Sequence, residues 1–234
     1  MNTVIIACRT IAEELRVALG ETGCPYPVLW IESGLHLKPD SLRKRLQEEL
    51  DHIENVSQTL LAFGYCGNAL LGLRAGDFRL IFPRVDDCIT LMLGSGLRRE
   101  EICRECGTYF LTKGWLDYER NIWGEYQETV RRYGKEKADR VFKAMLRHYQ
   151  RLGIIDTGAY DLGRFLVRVQ NISDALALKP QVIQGTLDYL KKLLTGPWDE
   201  DFIQINPGET VTLKHIFREA ATPPRETPAL QPHL

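Results

Sequence analysis

The sequence lacks a hydrophobic segment long enough to cross a membrane, and it lacks a substantial net charge. Its most apolar stretch, residues 59–73, is interrupted by glycines and is shorter than the roughly 18–20 residues that a transmembrane helix needs. Thirty Lys and Arg residues balance thirty-one Asp and Glu residues, which leaves a formal charge of −1. An even balance provides no field that attracts nucleic acid or anionic lipid. We therefore expect neither a membrane protein nor a nucleic-acid-binding protein.

The amino-terminal residues lack the basic segment, long apolar stretch and small-residue cleavage site of a signal peptide, so we expect a cytoplasmic protein. Six cysteines in 234 residues are too few for a disulfide scaffold. In a reducing compartment each cysteine is expected to be a thiol, a metal ligand or a redox group. The chain has no GxGxxG, GxxxxGK[ST] or GxSxG motif, so nothing in it indicates a nucleotide phosphate site or a serine hydrolase.

Apolar runs alternate with amphipathic stretches along the first part of the chain. The four runs are predicted to be strands and lie at residues 4–7, 27–31, 58–63 and 78–82. The stretches that follow them are predicted to be helices and lie at residues 11–19, 38–53, 66–73 and 87–93. Because the runs do not alternate with polar residues, they are typical of strands buried on both faces. The sequence predicts an α/β fold with a doubly wound, mostly parallel, Rossmann-like sheet.

The second half is predicted to continue this fold. Residues 107–111 and 153–156 are expected to be further strands of the same sheet, and residues 113–150 a charged helical insertion divided at Gly134. A helix is predicted at residues 182–194, where it ends at a Gly-Pro pair, and a last strand at residues 202–205.

These elements predict one α/β domain over residues 1–210. The remaining residues, 211–234, are expected to form a C-terminal tail. From about residue 220 this tail is rich in proline and is predicted to have no fold of its own.

Four potential metal ligands follow the first four predicted strands. They are Cys8, His36, Cys66 and Cys88. Ligands of parallel α/β sheets bind beyond the carboxyl ends of the strands, so these side chains are expected to converge. Three thiolates and an imidazole form a normal ligand set for zinc, while thiolates also hold iron–sulfur clusters or meet the cobalt of a corrinoid. The sequence predicts a metal centre and leaves zinc and an iron–sulfur cluster open.

The same residues also allow an interpretation without a metal, in which the protein is a thiol enzyme. Helix N-termini are predicted at Cys66 and Cys88, where the helix dipole stabilises an anion. Either cysteine is therefore a candidate nucleophile of a thiol enzyme, with His36 as its activating base. Cys103 and Cys106 form the single CxxC pair, which is half of a zinc site, a redox dithiol or incidental. Asp87, which precedes a predicted helix, is interpreted as its N-cap.

Several short motifs follow one another in an order that resembles a known family. They are Ile6-Ala7-Cys8, Leu35-His36-Leu37-Lys38-Pro39, Gly64-Tyr65-Cys66-Gly67, Asp86-Asp87-Cys88, Gly107-Thr108-Tyr109-Phe110, Gly114-Trp115 and Asp156-Thr157-Gly158. Over about residues 3–208 they are similar to the uncharacterised prokaryotic family catalogued as domain of unknown function number 1638. The motifs include the four predicted ligands but not the CxxC pair.

Similar proteins occur in anaerobes, often in those that use corrinoid-dependent methyl transfer. The resemblance thus implies a role near one-carbon metabolism, with a corrinoid as a cofactor and a corrinoid protein or methyltransferase as a partner. A non-catalytic accessory protein that carries a metal, a cluster or a corrinoid is an alternative, and whether the protein is an enzyme stays open. Six residues are expected to line the mouth of the metal site: Tyr65, Arg84, Asp86, Thr112, Trp115 and Asp156.

Overall fold

A computed structural model describes residues 2–35, 38–118 and 121–217. The strands are β1 (Thr3–Cys8), β2 (Val28–Ile31), β3 (Gln58–Ala62), β4 (Arg79–Pro83), β5 (Thr108–Leu111), β6 (Arg151–Asp156), β7 (Lys179–Gln184) and β8 (Phe202–Ile205). The helices are α1 (Ala12–Thr22), α2 (Pro39–Asp51), α3 (Cys88–Leu93), α4 (Gly96–Glu105), α5 (Lys113–Tyr118), α6 (Ile122–Tyr133), α7 (Lys135–Met145), α8 (Leu162–Leu176), α9 (Asp188–Thr195) and α10 (Leu213–Ile216). A single 3-10 turn, Arg9–Ile11, joins β1 to α1. No helix of the described residues has the length and apolar character that a bilayer span requires.

The first sheet contains five strands in the order β2-β1-β3-β4-β8. Strands β1 to β4 run parallel, and β8 pairs antiparallel with β4. Alternate residues of β1 and β3 are buried on opposite faces, against α1 and α9 on one side and α2 on the other. Burial on both faces is the reason why these strands are apolar throughout. The predicted α/β class, with a mostly parallel Rossmann-like sheet, is confirmed.

The later strands form a separate, parallel sheet in the order β5-β6-β7. The expectation that residues 107–111 and 153–156 join the first sheet is therefore wrong. The physical reason is that β8 already pairs with β4 and occupies that edge of the first sheet. The next parallel strands have no free partner there, so they pair with one another.

Two predicted helices are also corrected. The helix predicted at residues 66–73 is replaced by consecutive turns over residues 66–72, because Cys66, Gly67 and Asn68 have φ values of 45°, 66° and 69°, which a right-handed helix does not allow. The helix predicted at residues 182–194 starts later, at Asp188, since residues up to Gln184 pair with β6 as β7.

The residues predicted to be a tail divide into two parts. Residues 211–217 pack on the first sheet, with Val211 and Ile216 buried in the cluster that α2 covers. The proline-rich stretch from about residue 220 lies outside the described residues. Residues 113–150 hold α5, α6 and α7, and Gly134 separates the last two helices.

The two sheets share one core and meet along a seam. Ile155 and Ile183 of the second sheet belong to the same buried cluster as Ile5 and Leu60 of the first. On the outer face of the second sheet, α6, α7 and α8 cover a further cluster. Helix α1 therefore lies between the sheets, and the loops after β1, β5 and β6 come together at its first turns.

Candidate functional site

Three of the four predicted ligands line one small cavity at the carboxyl edge of the first sheet. Cys8 is the last residue of β1, Cys66 lies on the loop that follows β3, and Cys88 is the first residue of α3, which comes after the loop that follows β4. The cavity has a volume of about 30 Å³. This is room for an atom-sized ligand and is far below the roughly 300 Å³ at which small-molecule pockets begin.

The remaining wall of this cavity is mostly apolar. Leu42, Ala62 and Phe63 contribute to it, and Trp115 reaches it from α5. Glu32, which directly follows β2, is the one carboxylate among the described residues of the lining. Sequence reasoning missed Glu32, although an acidic residue at the end of a buried apolar run was a usable signal. Its side chain is 62% exposed and pairs with Arg45 at 3.5 Å, which places it at the rim.

The loop that carries Cys66 is tied to the loop that precedes Cys88. The Tyr65 amide donates to the Val85 carbonyl at 2.9 Å, and the Cys66 amide donates to the Asp86 carbonyl at 2.8 Å. Left-handed backbone at Cys66 costs energy for a residue with a side chain, and such strain is typical of functional sites. The strained turn directs this part of the chain toward the loop after β4.

Asp87 caps α3, as the sequence indicated. Its carboxylate accepts hydrogen bonds from the Thr90 amide at 2.9 Å and from the Thr90 hydroxyl at 3.0 Å. The same carboxylate pairs with Arg99 at 2.6 Å. The cap fixes the first turn of the helix that begins at Cys88.

We expect Asp87→Ala to lower the free energy of unfolding by about 1–2 kcal/mol, because the α3 N-terminus loses its cap. Asp87→Asn keeps an acceptor for the Thr90 amide and should cost less than Asp87→Ala. Urea unfolding of both variants checks this. Equal losses for alanine and asparagine would assign the effect to the Arg99 ion pair and contradict the cap.

Cys8 accepts a hydrogen bond from the Thr10 hydroxyl, with 3.0 Å between Oγ1 and Sγ. Thr10 is 2% exposed, and its carbonyl lies against Gly114 of α5, where a Cβ atom would stand 1.9 Å from the Thr10 oxygen. This close approach requires glycine at position 114. It holds the chain next to Cys8 against α5, the helix that follows β5 of the second sheet.

Three of the predicted mouth residues have other roles near the first sheet. The Arg84 guanidinium donates to the His215 carbonyl at 2.8 Å and to the Ile216 carbonyl at 3.1 Å, and so holds α10. Tyr65 is buried, which raises the pKa of its hydroxyl to about 12 against the opposing charge of Arg84. Asp86 is exposed. None of the three lines the cysteine cavity.

The other predicted mouth residues lie at or after the ends of strands of the second sheet. The Thr112 hydroxyl accepts from the Trp115 amide at 3.1 Å and so starts α5. Asp156 accepts from the Gly158 amide at 3.0 Å and shapes the turn after β6. Thr112 and Asp156 do not reach the cavity, whereas Trp115 does.

The remaining cysteines lie elsewhere. No disulfide joins any of the six cysteines; Cys103 is exposed on α4, and Cys106 follows the end of that helix. Cys24 packs at the edge of the core cluster between the sheets. None of these three lines the cavity. His36 lies outside the described residues.

The described donors do not form a ready-made coordination sphere. Within residues 2–35, 38–118 and 121–217, no three Cys, His, Asp or Glu side chains are arranged to hold a metal ion. Cys8, Cys66 and Cys88 thus share a cavity without converging on one point in their present conformations.

Glu14 is a buried acid in the seam between the sheets. It is fully buried on α1, and its Oε1 accepts from the Thr157 hydroxyl at 3.3 Å. Its other oxygen, Oε2, has no hydrogen-bond partner among the described residues. Burial raises the pKa of Glu14 from 4.5 to about 7, and the hydrogen bonds offset only part of this effect. The sequence indicated no such role, because Glu14 reads as an ordinary charge in the first turn of a helix.

A comparison with protein families identifies the chain. A model described as "Protein of unknown function (DUF1638)" matches residues 30–194, which is more than half of the chain. The chain belongs to this family. The resemblance inferred from the motifs is thereby confirmed. The DUF1638 match includes Cys66, Cys88 and Trp115 and begins after Cys8. No curated protein and no solved structure matches the chain.

Proposed function

We propose that the protein binds a single thiophilic metal ion with Cys8, Cys66 and Cys88. The observation that carries this proposal is the common cavity that these cysteines line, although they lie at or after the ends of three different strands. Thiolates are strong ligands of zinc and of related soft ions. The volume of about 30 Å³ suits one ion better than an iron–sulfur cluster or the ring of a corrinoid.

Binding requires the thiols to lose their protons and to turn toward one another. A cysteine sulfur changes position by rotation about χ1 between staggered rotamers, without movement of the backbone. Release of Cys8 from the Thr10 hydroxyl would accompany this rotation. His36 stays the predicted fourth ligand, and the Glu32 carboxylate at the rim is a second candidate for that position.

What the bound ion does depends on its coordination. An open position would make it a Lewis acid suited to thiol or methyl-group transfer, whereas a closed site would suit a structural or carrier role. The link to one-carbon metabolism, and a corrinoid protein or methyltransferase as partner, stay predictions that rest on the family resemblance.

Metal-free thiol chemistry is the second candidate. Two observations favour it: the described donors do not form a ligand set, and the Thr10 hydroxyl donates to Cys8 Sγ. A hydroxyl that donates to sulfur stabilises the negative charge of a thiolate nucleophile. This candidate adds Cys8 to the nucleophiles Cys66 and Cys88 that the sequence suggested.

Elemental analysis and Zn²⁺ titration of anaerobically purified protein test the proposal. We expect one equivalent of bound ion, and an affinity at least about 100-fold weaker in Cys8→Ser, Cys66→Ser and Cys88→Ser. Cys24→Ser and Cys103→Ser are matched controls, since both cysteines lie outside the cavity. Unchanged affinity in all three cavity variants would overturn the proposal. No bound metal, together with one thiol that alkylates far faster than the others, would favour the thiol enzyme.

A further inference from the structure

The residues that line the cavity come from two parts of the fold. All three cysteines follow strands of the first sheet, while Trp115 comes from α5, which follows β5 of the second sheet. Trp115 packs against the core cluster shared by the sheets and also against the cluster on the outer face of the second sheet. One side of the cysteine cavity is therefore supplied by a large, rigid aromatic side chain from across the seam.

The backbone around Trp115 is held on both sides. Gly114 lies against the Thr10 carbonyl, and Lys113 pairs with Glu13 at 2.5 Å and with Asp117 at 2.8 Å. These contacts tie α5 to the first turns of α1, and the indole itself packs against the clusters on both sides of the seam. A side chain fixed in this way sets the size of the cavity.

We propose that Trp115 selects ligands of the cysteine cavity by size, so that the site admits bare soft cations and excludes organometallic and other bulky thiophiles. This inference deepens the proposed metal site and names the class of its ligand. Apart from the cysteines, the Trp115 indole and Glu32 at the rim, the described side chains of the wall are apolar. Selection then depends on volume and on the affinity of sulfur for soft ions.

Thiol labelling of the metal-free protein tests this inference. A small reagent, iodoacetamide, is compared with a bulky one, fluorescein maleimide, and the labelled cysteines are identified by peptide mass spectrometry. In the unaltered protein we expect the bulky reagent to modify Cys8, Cys66 and Cys88 at least about tenfold more slowly, relative to its rate at exposed Cys103, than the small reagent does. Trp115→Ala should remove this difference, and Trp115→Phe should reduce it.

Trp123→Ala is the matched control, because Trp123 packs on the outer cluster, stacks on Tyr126 and does not line the cavity. It should leave the size discrimination intact. Discrimination that persists in Trp115→Ala, or that is already absent in the unaltered protein, would overturn the inference. If Trp115→Ala fails to fold, the labelling of Trp115→Phe tests the inference by itself. Unchanged size discrimination in Trp115→Phe would then contradict size selection by Trp115. Since labelling needs no metal, its outcome is independent of the Zn²⁺ titration, and either proposal can fail without the other.

Discussion

Gly64→Ala is expected to lower the free energy of unfolding by more than about 3 kcal/mol, or to prevent folding. A Cβ atom at this position would stand 2.4 Å from the Asp87 Cα and 2.5 Å from the Asp87 nitrogen. These are backbone atoms, so the clash cannot be relieved by rotation of a side chain. It also forces apart the loop that carries Cys66 and the loop that precedes Cys88, and metal affinity should fall together with stability.

The matched control is Gly20→Ala. Gly20 lies inside α1, and no atom lies within 4 Å of its ideal Cβ position. Alanine is favoured over glycine in a helix interior, so this variant should gain roughly 0.5–1 kcal/mol. Urea unfolding of both variants gives the comparison. Similar stabilities for Gly64→Ala and Gly20→Ala would show that the two loops are not held by this backbone approach.

Glu14→Gln is expected to become progressively more stable than the unaltered protein as the pH rises from 4.5 to 8. The folded protein keeps the Glu14 proton up to a pKa of about 7, whereas the unfolded chain releases it near 4.5. Stability of the unaltered protein therefore falls as the pH rises through this window and levels off above it. The difference between the two pKa values corresponds to a loss of about 3 kcal/mol in the free energy of unfolding. Glutamine does not ionise, so Glu14→Gln avoids this loss.

The glutamine amide also introduces a donor where Glu14 Oε2 has no described partner, and this cost does not depend on pH. The test is therefore whether the difference in stability between Glu14→Gln and the unaltered protein changes with pH. Urea unfolding at several pH values measures it. Glu13→Gln is the control, since the neighbouring Glu13 pairs with Lys113 at 2.5 Å and is not fully buried. A flat difference between Glu14→Gln and the unaltered protein would mean that Glu14 does not keep its proton in the seam.

The second sheet and the turn at Cys66 show where sequence reasoning failed. Residues 108–111 and 151–156 are recognisable as strands, yet their partners depend on β8, a short strand from near the end of the described chain. The turn at Cys66 depends on its hydrogen bond to the Asp86 carbonyl, which outweighs the helical spacing of the apolar residues that follow. Both are long-range effects that a local pattern does not contain.

The sequence by itself determined the α/β class, the family and the position of Cys8, Cys66 and Cys88 at strand ends, because buried parallel strands are apolar throughout and end at one edge. Only the tertiary structure decided that Trp115 closes their cavity, that Glu32 stands at its rim and that Glu14 is buried in a seam. These placements arise from the packing of one sheet against another, where residues distant in sequence exclude water together.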